Sequence, residues 1–452
     1  MAESAERKST QQRLEALSTA LHRGTAVQVQ QLLASLHPAE IGDLIQSLPH
    51  GPREILWGLV DAEDKGEVLI EVNDDVRAGL IEKMATDQLL AITEGLHTDD
   101  LADLLQDLPA ALTQELLHSM DKQNRQRLET VLSYPEDTAG GLMDLDIVTV
   151  RANVTLDVVL RYLRLRGEVP ELTDNLIVVD RFDRYQGLLS LATLLTSDPD
   201  ASVAELMDSS VAGILASTTD DVVARLFEDR DLVSAPVVDE AGRLLGRITI
   251  DDVVDVIREE ADHSLMSMAG LDEENDIFAP AVLSARRRAV WLGINLATAF
   301  LASWVIGLYE TTLEKVVALA VLMPVVASMG GIAGNQTLTI MIRGLALGQV
   351  GPTNARALMI KEILISIMNS LIWAAVVAMI AAAWFQNTDI GLIIPAALMI
   401  NLVCAALAGF SIPLALQHLG IDPALAGSVI LTTVTDVVGF MAFLGLGTWY
   451  LL

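Results

Sequence analysis

This chain is poor in cysteine and in basic residues. Its 452 residues contain one cysteine, Cys404, which lies in an apolar run, so a secreted fold held together by disulfides is excluded. The 29 Lys and Arg residues are outnumbered by 60 Asp and Glu residues, which leaves a formal net charge of −31. Such a charge repels phosphate and disfavours a nucleic-acid partner. The first 35 residues contain no apolar segment before a cleavage site, so no secretory signal is predicted.

The negative charge and the hydrophobic residues occupy different parts of the chain. Hydrophobic residues make up 52% of the sequence, a high fraction for so acidic a protein. Residues 281–452 carry seven basic and six acidic residues, a net charge of +1, so residues 1–280 carry −32. A single soluble domain is also too small for 452 residues. The sequence therefore predicts an acidic part that stays in the cytoplasm, followed by a near-neutral apolar part.

Five stretches of the apolar part are long enough to cross a bilayer, because a helix needs about 20 apolar residues to do so. They are residues 289–309, 316–342, 363–388, 390–417 and 424–452. Basic residues cluster before the first stretch and between the second and third, namely Arg286, Arg287, Arg288, Arg343, Arg356 and Lys361. The positive-inside rule then predicts a cytoplasmic N-terminus. With five spans, we expect the C-terminus on the outer, periplasmic side of a bacterial inner membrane.

The second predicted span has a composition that is unusual for a helix surrounded by lipid. Pro324 is followed by residues 330–337, which read Gly-Gly-Ile-Ala-Gly-Asn-Gln-Thr. Glycine pairs and amides at membrane depth are typical either of a polar pathway or of close packing between helices. Both interpretations of the glycines stay open at this point, whereas Asn335 favours a pathway.

The fifth predicted span carries one acid, Asp436, near its middle and just after Thr432 and Thr433. A carboxylate at the bilayer centre costs about 2.5–3.5 kcal/mol on insertion scales. Intramembrane acids mark ion or proton paths by default, so Asp436 predicts a cation site, with a structural hydrogen bond as the alternative. Glu362, in contrast, adjoins Lys361, and we expect it at the membrane edge as a solvated or paired charge.

Residues 1–133 show the apolar spacing of short helices and an internal repeat. Residues 36–49 align with residues 96–109 at an offset of 60, with seven of fourteen positions identical. Repeats of this kind predict a small stack of helices. His37 and His97 hold equivalent positions, and we expect them to cap helices or lie in the core rather than to bind metal.

A second repeat, at offsets of 64 and then 59, occupies residues 138–258. Leu-Met-Asp recurs at 142–144 and 206–208, and Val-Val-Asp recurs at 178–180 and 237–239. Each copy predicts the order strand, helix, strand, turn, strand, helix. Strands are predicted at 176–179, 235–238 and 245–249, with a hairpin turn at 239–242.

The helix that follows this repeat carries acids at Asp252, Asp255, Glu259 and Asp262. Side chains three and four residues apart are neighbours on a helix, so these four carboxylates share one face. A solvated acidic face is one interpretation of the pattern. A Mg²⁺ site is the other, because this ion keeps several waters and is held by one or two carboxylates. The spacing alone does not decide between them.

In their order along the chain, the acidic repeats, the α/β repeat, the connecting helix and the five spans resemble the MgtE family of magnesium channels and transporters. Residues 234–252, which read Ser-Ala-Pro-Val-Val-Asp-Glu-Ala-Gly-Arg-Leu-Leu-Gly-Arg-Ile-Thr-Ile-Asp-Asp, resemble a cystathionine-β-synthase (CBS) domain. Residues 322–343 and 422–439 resemble the second and fifth spans of the family. The resemblance implies a multidomain fold: an α-helical repeat domain (1–133), an α/β tandem CBS pair (134–258), a connecting plug helix (259–286) and an all-α transmembrane domain with five helices (287–452).

The same resemblance implies a Mg²⁺-selective channel or transporter for magnesium uptake. It would act as a homodimer in the lipid bilayer, and intracellular Mg²⁺ bound to its cytoplasmic domains would close it. Asp436 would bind hydrated Mg²⁺ in the pore, lined also by Gly331, Asn335, Thr432 and Thr433. The implied sensor acids are Asp251, Asp252, Asp255, Glu259 and Glu260. Nucleotide binding, implied for ATP, would use the Thr-x-x-Asp pattern of Thr249 and Asp252.

Two positions depart from the family pattern. Ile332 stands where the family usually has asparagine, which alters the expected pore lining, and His263-Ser264 stand where it usually has two acids, which weakens or retunes closure. The alternatives are a divalent-cation transporter that also accepts Co²⁺ or Mn²⁺ with weakened gating, and a membrane-anchored CBS protein that senses nucleotides. No Gly-rich phosphate loop and no His-Glu-x-x-His motif occurs, so an enzyme is not expected.

Overall fold

A computed structural model describes residues 26–93, 96–106, 108, 110–120, 122–271 and 275–452. Most of the segment examined for a secretory signal, residues 1–25, lies outside the described residues, as do two positions of the helical repeat, Asp107 and Pro109. The chain forms two compact units. One comprises Met1–Ala261 with Glu274–Ala279, and the other comprises Asp262–Glu273 with Pro280–Leu452.

The first unit begins with short helices that pack around a common apolar core. Their ends are set by local capping: the His37 backbone N–H donates to Glu40 Oε2 (3.0 Å), and His37 Nδ1 accepts from the Ala39 backbone N–H (3.4 Å). The predicted capping role of His37 is therefore confirmed. The repeat places α2 and α7 at the predicted offset. The helices are α1 (Ala26–Leu33), α2 (Pro38–Gln46), α3 (His50–Trp57), α4 (Lys65–Ile70), α5 (Asp74–Ile81), α6 (Thr86–Thr93), α7 (Thr98–Gln106), α8 (Ala110–Ser119) and α9 (Lys122–Val131).

The rest of the first unit contains two α/β halves of equal topology. In each half the first two strands pair in parallel and the last two pair antiparallel, in the orders β1-β2-β3 and β4-β5-β6. The predicted hairpin turn closes with Gly242 at φ +75°, a conformation that glycine adopts at little cost. The elements are β1 (Thr149–Arg151), α10 (Leu156–Arg166), β2 (Asn175–Val179), β3 (Tyr185–Ser190), α11 (Leu191–Thr196), α12 (Val203–Leu206), β4 (Ile214–Leu215), α13 (Asp220–Arg230), β5 (Ser234–Val238) and β6 (Leu244–Thr249).

The helix α14 (Ile250–Ser267) starts directly after β6 and runs from the first unit into the second. The proposed limit between CBS pair and plug helix, 258/259, falls inside this continuous helix. The ranges of the four predicted domains therefore stay predictions. What is clear is that the acidic helix of the sequence analysis and the start of the plug segment are one element.

In the part of the chain that the structure describes, five helices of the second unit are long and apolar enough to cross a membrane. They are α15 (Ala281–Gly307), α17 (Val317–Ala346), α18 (Ala355–Phe385), α19 (Thr388–His418) and α20 (Pro423–Leu451), with the short α16 (Glu310–Lys315) between the first two. The predicted fold class, with helical repeats, α/β tandem domains and five apolar helices, is confirmed.

Glycines let three of these long helices approach closely. An added Cβ at Gly334 of α17 would lie 3.0 Å from the Leu431 side chain of α20, and one at Gly409 of α19 would lie 2.7 Å from the Gly334 carbonyl oxygen. Gly447 likewise faces Leu319 at 2.8 Å. Since 334 pairs with 431 and 319 with 447, α17 and α20 run antiparallel. The segment 330–337 does not interrupt α17, which is helical throughout.

Candidate functional site

Asp436 lies at the midpoint of α20 and is half-buried. Among the described residues it forms no salt bridge, so no protein cation offsets its charge. Its neighbour Thr435 is fully buried. Thr432, which lies one turn before Asp436 on the same helix face, is exposed. A carboxylate at this depth, partly open on one side, is able to attract a cation from a polar path.

Hydroxyl groups extend this face of α20 toward the start of the helix. Thr432 Oγ1 donates to the Ser428 carbonyl oxygen (2.8 Å), and Thr433 Oγ1 donates to that of Val429 (2.7 Å). Because both hydroxyl protons are used within the helix, both oxygens remain available as acceptors toward the water shell of a cation.

Asn335 lies on α17 at a different level from Asp436. The antiparallel pairing of α17 and α20 places Asn335 opposite residue 430, six residues or about 9 Å along the axis from Asp436. Asn335, Ile332 and Gln336 line a cavity of about 610 Å³ together with Thr339 and Ile340. Asn335 and Thr432 are both exposed, so the proposed pore lining lies on faces that this chain leaves uncovered.

The glycines of the second span separate into two kinds. A Cβ at Gly331 would meet nothing within 4 Å, which fits the proposed pore lining. A Cβ at Gly330 would lie 2.2 Å from the Nδ2 atom of Asn401, so Gly330 serves helix packing. The packing interpretation left open by the sequence therefore applies to Gly330, and the pathway interpretation of Gly331 stays a prediction. Ile332 is 57% exposed beside Gly331, so the departure from the family pattern lies on the open face.

Asn401, near the middle of α19, was missed by the sequence analysis. It is fully buried, and its Nδ2 donates a 2.9 Å hydrogen bond to the Val326 carbonyl oxygen of α17. Gly330 of α17 and Gly439 of α20 both face it, with 2.7 Å between Nδ2 and a Cβ at Gly439. Gly439 is one turn from Asp436. Asn401 therefore holds α19 against both pore helices at the level of Asp436, and an amide in an otherwise apolar span was the available signal.

The expectation for Glu362 is wrong. Its side chain is 4% exposed on α18, makes no salt bridge among the described residues, and accepts a 3.3 Å hydrogen bond from Thr337 Oγ1 of α17. The adjacent Lys361 is exposed and cannot pair with it, because consecutive side chains on a helix point in different directions.

The first unit brings a second group of acids together. Asp99 and Asp100 of α7 lie near Asp252 and Asp251 at the start of α14, and Asp103 lies beside Asp99 and Asp100. Burial, and then the charge of Asp99, raises the pKa of Asp100 to about 7, and burial with the charge of Glu136 raises that of Asp103 to about 8. Burial and the charges of Asp99 and Asp251 also raise the pKa of Asp252. Carboxylates that lie close together repel one another, which favours a bound proton or cation.

The sequence analysis did not identify the three acids of α7. One signal was present, because the second repeat copy has Asp99 where the first has Ala39, which puts two acids side by side at 99 and 100.

The predicted sensor and nucleotide residues are only partly brought together. Thr249 is buried, and its Oγ1 donates to Asp252 Oδ2 (3.1 Å) and contacts Asp251. The two residues of the Thr-x-x-Asp pattern are therefore hydrogen-bonded to each other. The predicted sensor acids Asp255, Glu259 and Glu260 are exposed further along α14. Within the described ranges, no three His, Cys, Asp or Glu side chains converge closely enough to hold a metal ion directly. The acids fit an ion that keeps its waters.

A buried ion pair ties the segment after α14 to the helical repeats. Arg53 of α3 makes two hydrogen bonds to Asp276, at 2.7 and 2.9 Å, and the two side chains are 3% and 4% exposed. Arg53 Nε also donates to the Ile45 and Leu48 carbonyl oxygens. Burial opposes the charge of Asp276, but the Arg53 hydrogen bonds and charge keep its pKa below the ordinary value. The sequence analysis missed this pair.

Within the second unit, the end of α14 and the residue after it contact α17 and α20. Met268 joins a cluster of α17 and α20 residues, namely Leu338, Ile342, Ala424 and Leu431. His263 Nε2 lies 3.4 Å from Asp422 Oδ2, the residue that caps α20 through the backbone N–H groups of Ala424 and Leu425. The position at which the family usually has an acid thus contacts the start of the helix that carries Asp436.

Comparison with known proteins places these features in context. Family models match residues 323–446 (MgtE, divalent cation transporter), 36–137 (MgtE intracellular N domain) and 203–259 (CBS domain). The chain is 32% identical to the magnesium transporter MgtE of Thermus thermophilus over 95% of this chain and 96% of that one. It is 27% identical to the Bacillus subtilis magnesium transporter MgtE with the same coverage.

The chain is also similar to a solved structure. It is the crystal structure of the cytosolic domain of the Mg²⁺ channel MgtE in complex with ATP, which is 36% identical and has a TM-score of 0.50. The match covers 54% of this chain and 99% of that one.

Proposed function

Because the chain belongs to the MgtE family of magnesium transporters, we propose that it is a multi-pass Mg²⁺ channel or transporter that mediates magnesium uptake. Mg²⁺ would pass along the open face of α17 and α20. One observation carries this proposal: Asp436 lies at the midpoint of a membrane helix, forms no salt bridge with any described residue, and shares its helix face with the exposed Thr432.

The passing ion keeps its water shell in this proposal. Mg²⁺ dehydrates reluctantly, and the ligands that one chain provides around Asp436 are too few to replace the six waters of the ion. The carboxylate would attract the hydrated ion, while the oxygens of Thr432, Thr433 and Asn335 would bond to its waters. Gly331 leaves room at the same face because it carries no side chain.

Two copies of the chain would enclose this path. The pore-lining faces of α17 and α20 are exposed in one chain, and a polar face in a bilayer needs cover by protein or water. A homodimer would bring two Asp436 side chains to a common axis. The basic residues near the start of α15, at the end of α17 and at the start of α18 support an inner-membrane protein with the N-terminus in the cytoplasm and the C-terminus outside.

Cytoplasmic Mg²⁺ would close the path through the acids of the first unit. Asp99 and Asp100 face the start of α14 and Asp103 lies beside them, so the three are proposed together with the sensor acids Asp251, Asp252, Asp255, Glu259 and Glu260. A bound ion would relieve the repulsion between these carboxylates and favour the compact arrangement, which is a shift of population by differential ion affinity. Since α14 continues into the second unit and packs on α17 and α20, this shift reaches the pore helices.

ATP would bind the CBS pair through the second repeat copy. The support is the Thr249-x-x-Asp252 pattern and the similarity to a cytosolic domain solved with ATP. Because the Thr249 hydroxyl is hydrogen-bonded to Asp251 and Asp252, ATP binding would require these hydrogen bonds to break.

A broader divalent range is the second candidate. It is favoured by Ile332, which presents an apolar side chain at the open groove next to Asn335, where a polar one would bond to ion-bound water. Fewer water contacts in the groove would weaken discrimination among Mg²⁺, Mn²⁺ and Co²⁺.

Flux measurements in proteoliposomes test both candidates. The full chain would be reconstituted, and entry of Mg²⁺, Mn²⁺, Ca²⁺ and Co²⁺ would be followed in turn with an internal indicator, without and with millimolar internal Mg²⁺. We expect Mg²⁺ entry above that of empty liposomes, and slower entry at high internal Mg²⁺. Equal entry of all four ions would favour the broad-range candidate, and no entry of any would refute transport.

A further inference from the structure

A second polar cluster lies in the membrane domain away from the groove. Its centre is the buried carboxylate of Glu362 on α18, which is 4% exposed and accepts one hydrogen bond, from Thr337 of α17, through Oε2. The other oxygen, Oε1, has no hydrogen-bond partner among the described residues. A buried carboxylate oxygen without a donor is costly, more so in a membrane.

A second orphan oxygen lies one turn further along the same helix face. Ser366 is 7% exposed, and its Oγ likewise has no hydrogen-bond partner among the described residues. Residues four apart on a helix are neighbours, so the side chains of Ser366 and Glu362 lie on the same face of α18. Thr337 is buried, whereas its neighbours Asn335 and Gln336 are exposed at the groove, so this cluster is on a different side of α17.

The charge of this cluster is not balanced by the protein. Glu362 has no ion pair with any described side chain, and Lys361, Arg356 and Arg343 are exposed. An unpaired charge buried in a protein is strongly disfavoured, so this carboxyl group is stabilised either by a proton or by a positive charge beside it. Two hydroxyl oxygens and two carboxylate oxygens provide hard ligands of the type that small cations prefer.

We propose that Glu362, Thr337 and Ser366 form a binding site for a monovalent cation, Na⁺, separate from the Mg²⁺ path. A single carboxylate supplies one negative charge, which balances Na⁺ and leaves Mg²⁺ half-compensated. The ion joins α17 to α18, and it gives Glu362 Oε1 and Ser366 Oγ the partner that each lacks. It stabilises the packing of these two helices.

The test measures binding and needs no transport activity. The full chain in lipid nanodiscs is melted at pH 8 over a Na⁺ series, with N-methyl-D-glucamine chloride keeping the ionic strength constant. Because an ion that binds the folded state raises the melting temperature, we expect a saturable rise for the wild type. Glu362→Gln, which keeps the shape, abolishes the rise, and Ser366→Ala or Thr337→Val raises the half-saturating Na⁺ concentration by about tenfold.

Two matched variants serve as controls. Glu314→Gln and Ser303→Ala change the same residue types at exposed positions of the membrane unit, and they keep the full Na⁺ response. The proposal is overturned if the wild-type melting temperature does not depend on Na⁺, or if Glu362→Gln responds like the wild type. Both outcomes are independent of Mg²⁺ flux, so failure of this site and failure of the transport proposal are distinguishable.

Discussion

Asp436 and Asn401 lie at the same depth of the membrane unit but differ in their surroundings. Asp436 is half-buried at an open face, whereas Asn401 is enclosed between Gly330 and Gly439. In the proposed path, the Asp436 carboxylate would meet a passing ion. The Asn401 amide sets the distance of α19 from α17 and from α20, the helix that carries Asp436. Asn401 is therefore a positioning residue for Asp436.

Replacing Asn401 by alanine removes its hydrogen bond to Val326 and leaves a cavity between three helices. We expect a loss of about 2–3 kcal/mol of stability, together with a lower Mg²⁺ flux. Thermal unfolding and proteoliposome flux measure the two effects. Asn295→Ala, at an exposed position of α15, is the control and leaves both unchanged. A stable Asn401→Ala protein with normal flux would contradict the positioning role.

The raised pKa values of the α7 acids predict how stability depends on pH. Without Mg²⁺, the folded state keeps protons on Asp100 and Asp103 up to pH about 7 and 8, whereas the unfolded chain loses them near pH 4. The folded state binds more protons in this window, so its stability falls as the pH rises from 5 to 9. Melting of the full chain in EDTA measures this fall.

Millimolar Mg²⁺ should restore stability at the high end of this range, because the ion replaces the lost protons. Asp103→Asn combined with Asp252→Asn should flatten the pH dependence and weaken the Mg²⁺ effect. An unchanged slope in the double variant would show that these carboxyls do not carry it.

At the scale of the elements, the adjacent residues Gly330 and Gly331 give a matched pair of substitutions in α17. Gly330→Ala would place a Cβ 2.2 Å from Asn401 Nδ2, so we expect the helices to separate and the melting temperature to fall. Gly331→Ala meets no atom within 4 Å and should leave the melting temperature unchanged or slightly higher, since alanine favours helix. Equal melting temperatures for the two variants would contradict the assigned packing.

The Arg53–Asp276 pair predicts a second effect on stability. Arg53→Met leaves the buried Asp276 without its partner, and breaking such a pair costs about 3–5 kcal/mol. Arg53→Met with Asp276→Leu should recover a large part of this loss, because no isolated charge then remains. Denaturant unfolding compares the variants with Lys83→Met, which breaks an exposed pair with Glu54 and should cost at most about 1 kcal/mol. A loss in Arg53→Met no larger than in Lys83→Met would refute the role.

Prediction from sequence succeeded where the signal is local. The five helices follow from run length and the hairpin at 239–242 from its turn residues, whereas the cation site at Asp436 stays a prediction. It failed where two distant segments meet. Arg53 and Asp276 are 223 residues apart, and nothing near either residue indicates the other. Glu362 was misplaced because Lys361 beside it in sequence suggested a partner that helix geometry does not provide.

At the scale of the whole molecule, the uneven distribution of charge along the chain bears on the proposed gating. The −32 of residues 1–280 collects partly where α7 faces α14, and α14 ends on the helices that carry Asn335 and Asp436. In the proposed gating, a cation that binds the acids would act on a helix that contacts α17 and α20. The departure at His263 lies on this same element, where it contacts Asp422 at the start of α20.

The central claim is that Mg²⁺ passes by Asp436, and Mg²⁺ entry into proteoliposomes containing Asp436→Asn tests it most directly. Asp389→Asn, which neutralises an acid at the start of α19, is the matched control. We predict that Asp436→Asn lowers the entry rate at least about tenfold, as expected when a charge that concentrates ions is lost, while Asp389→Asn stays near the wild type. Wild-type entry through the Asp436→Asn protein would contradict the account.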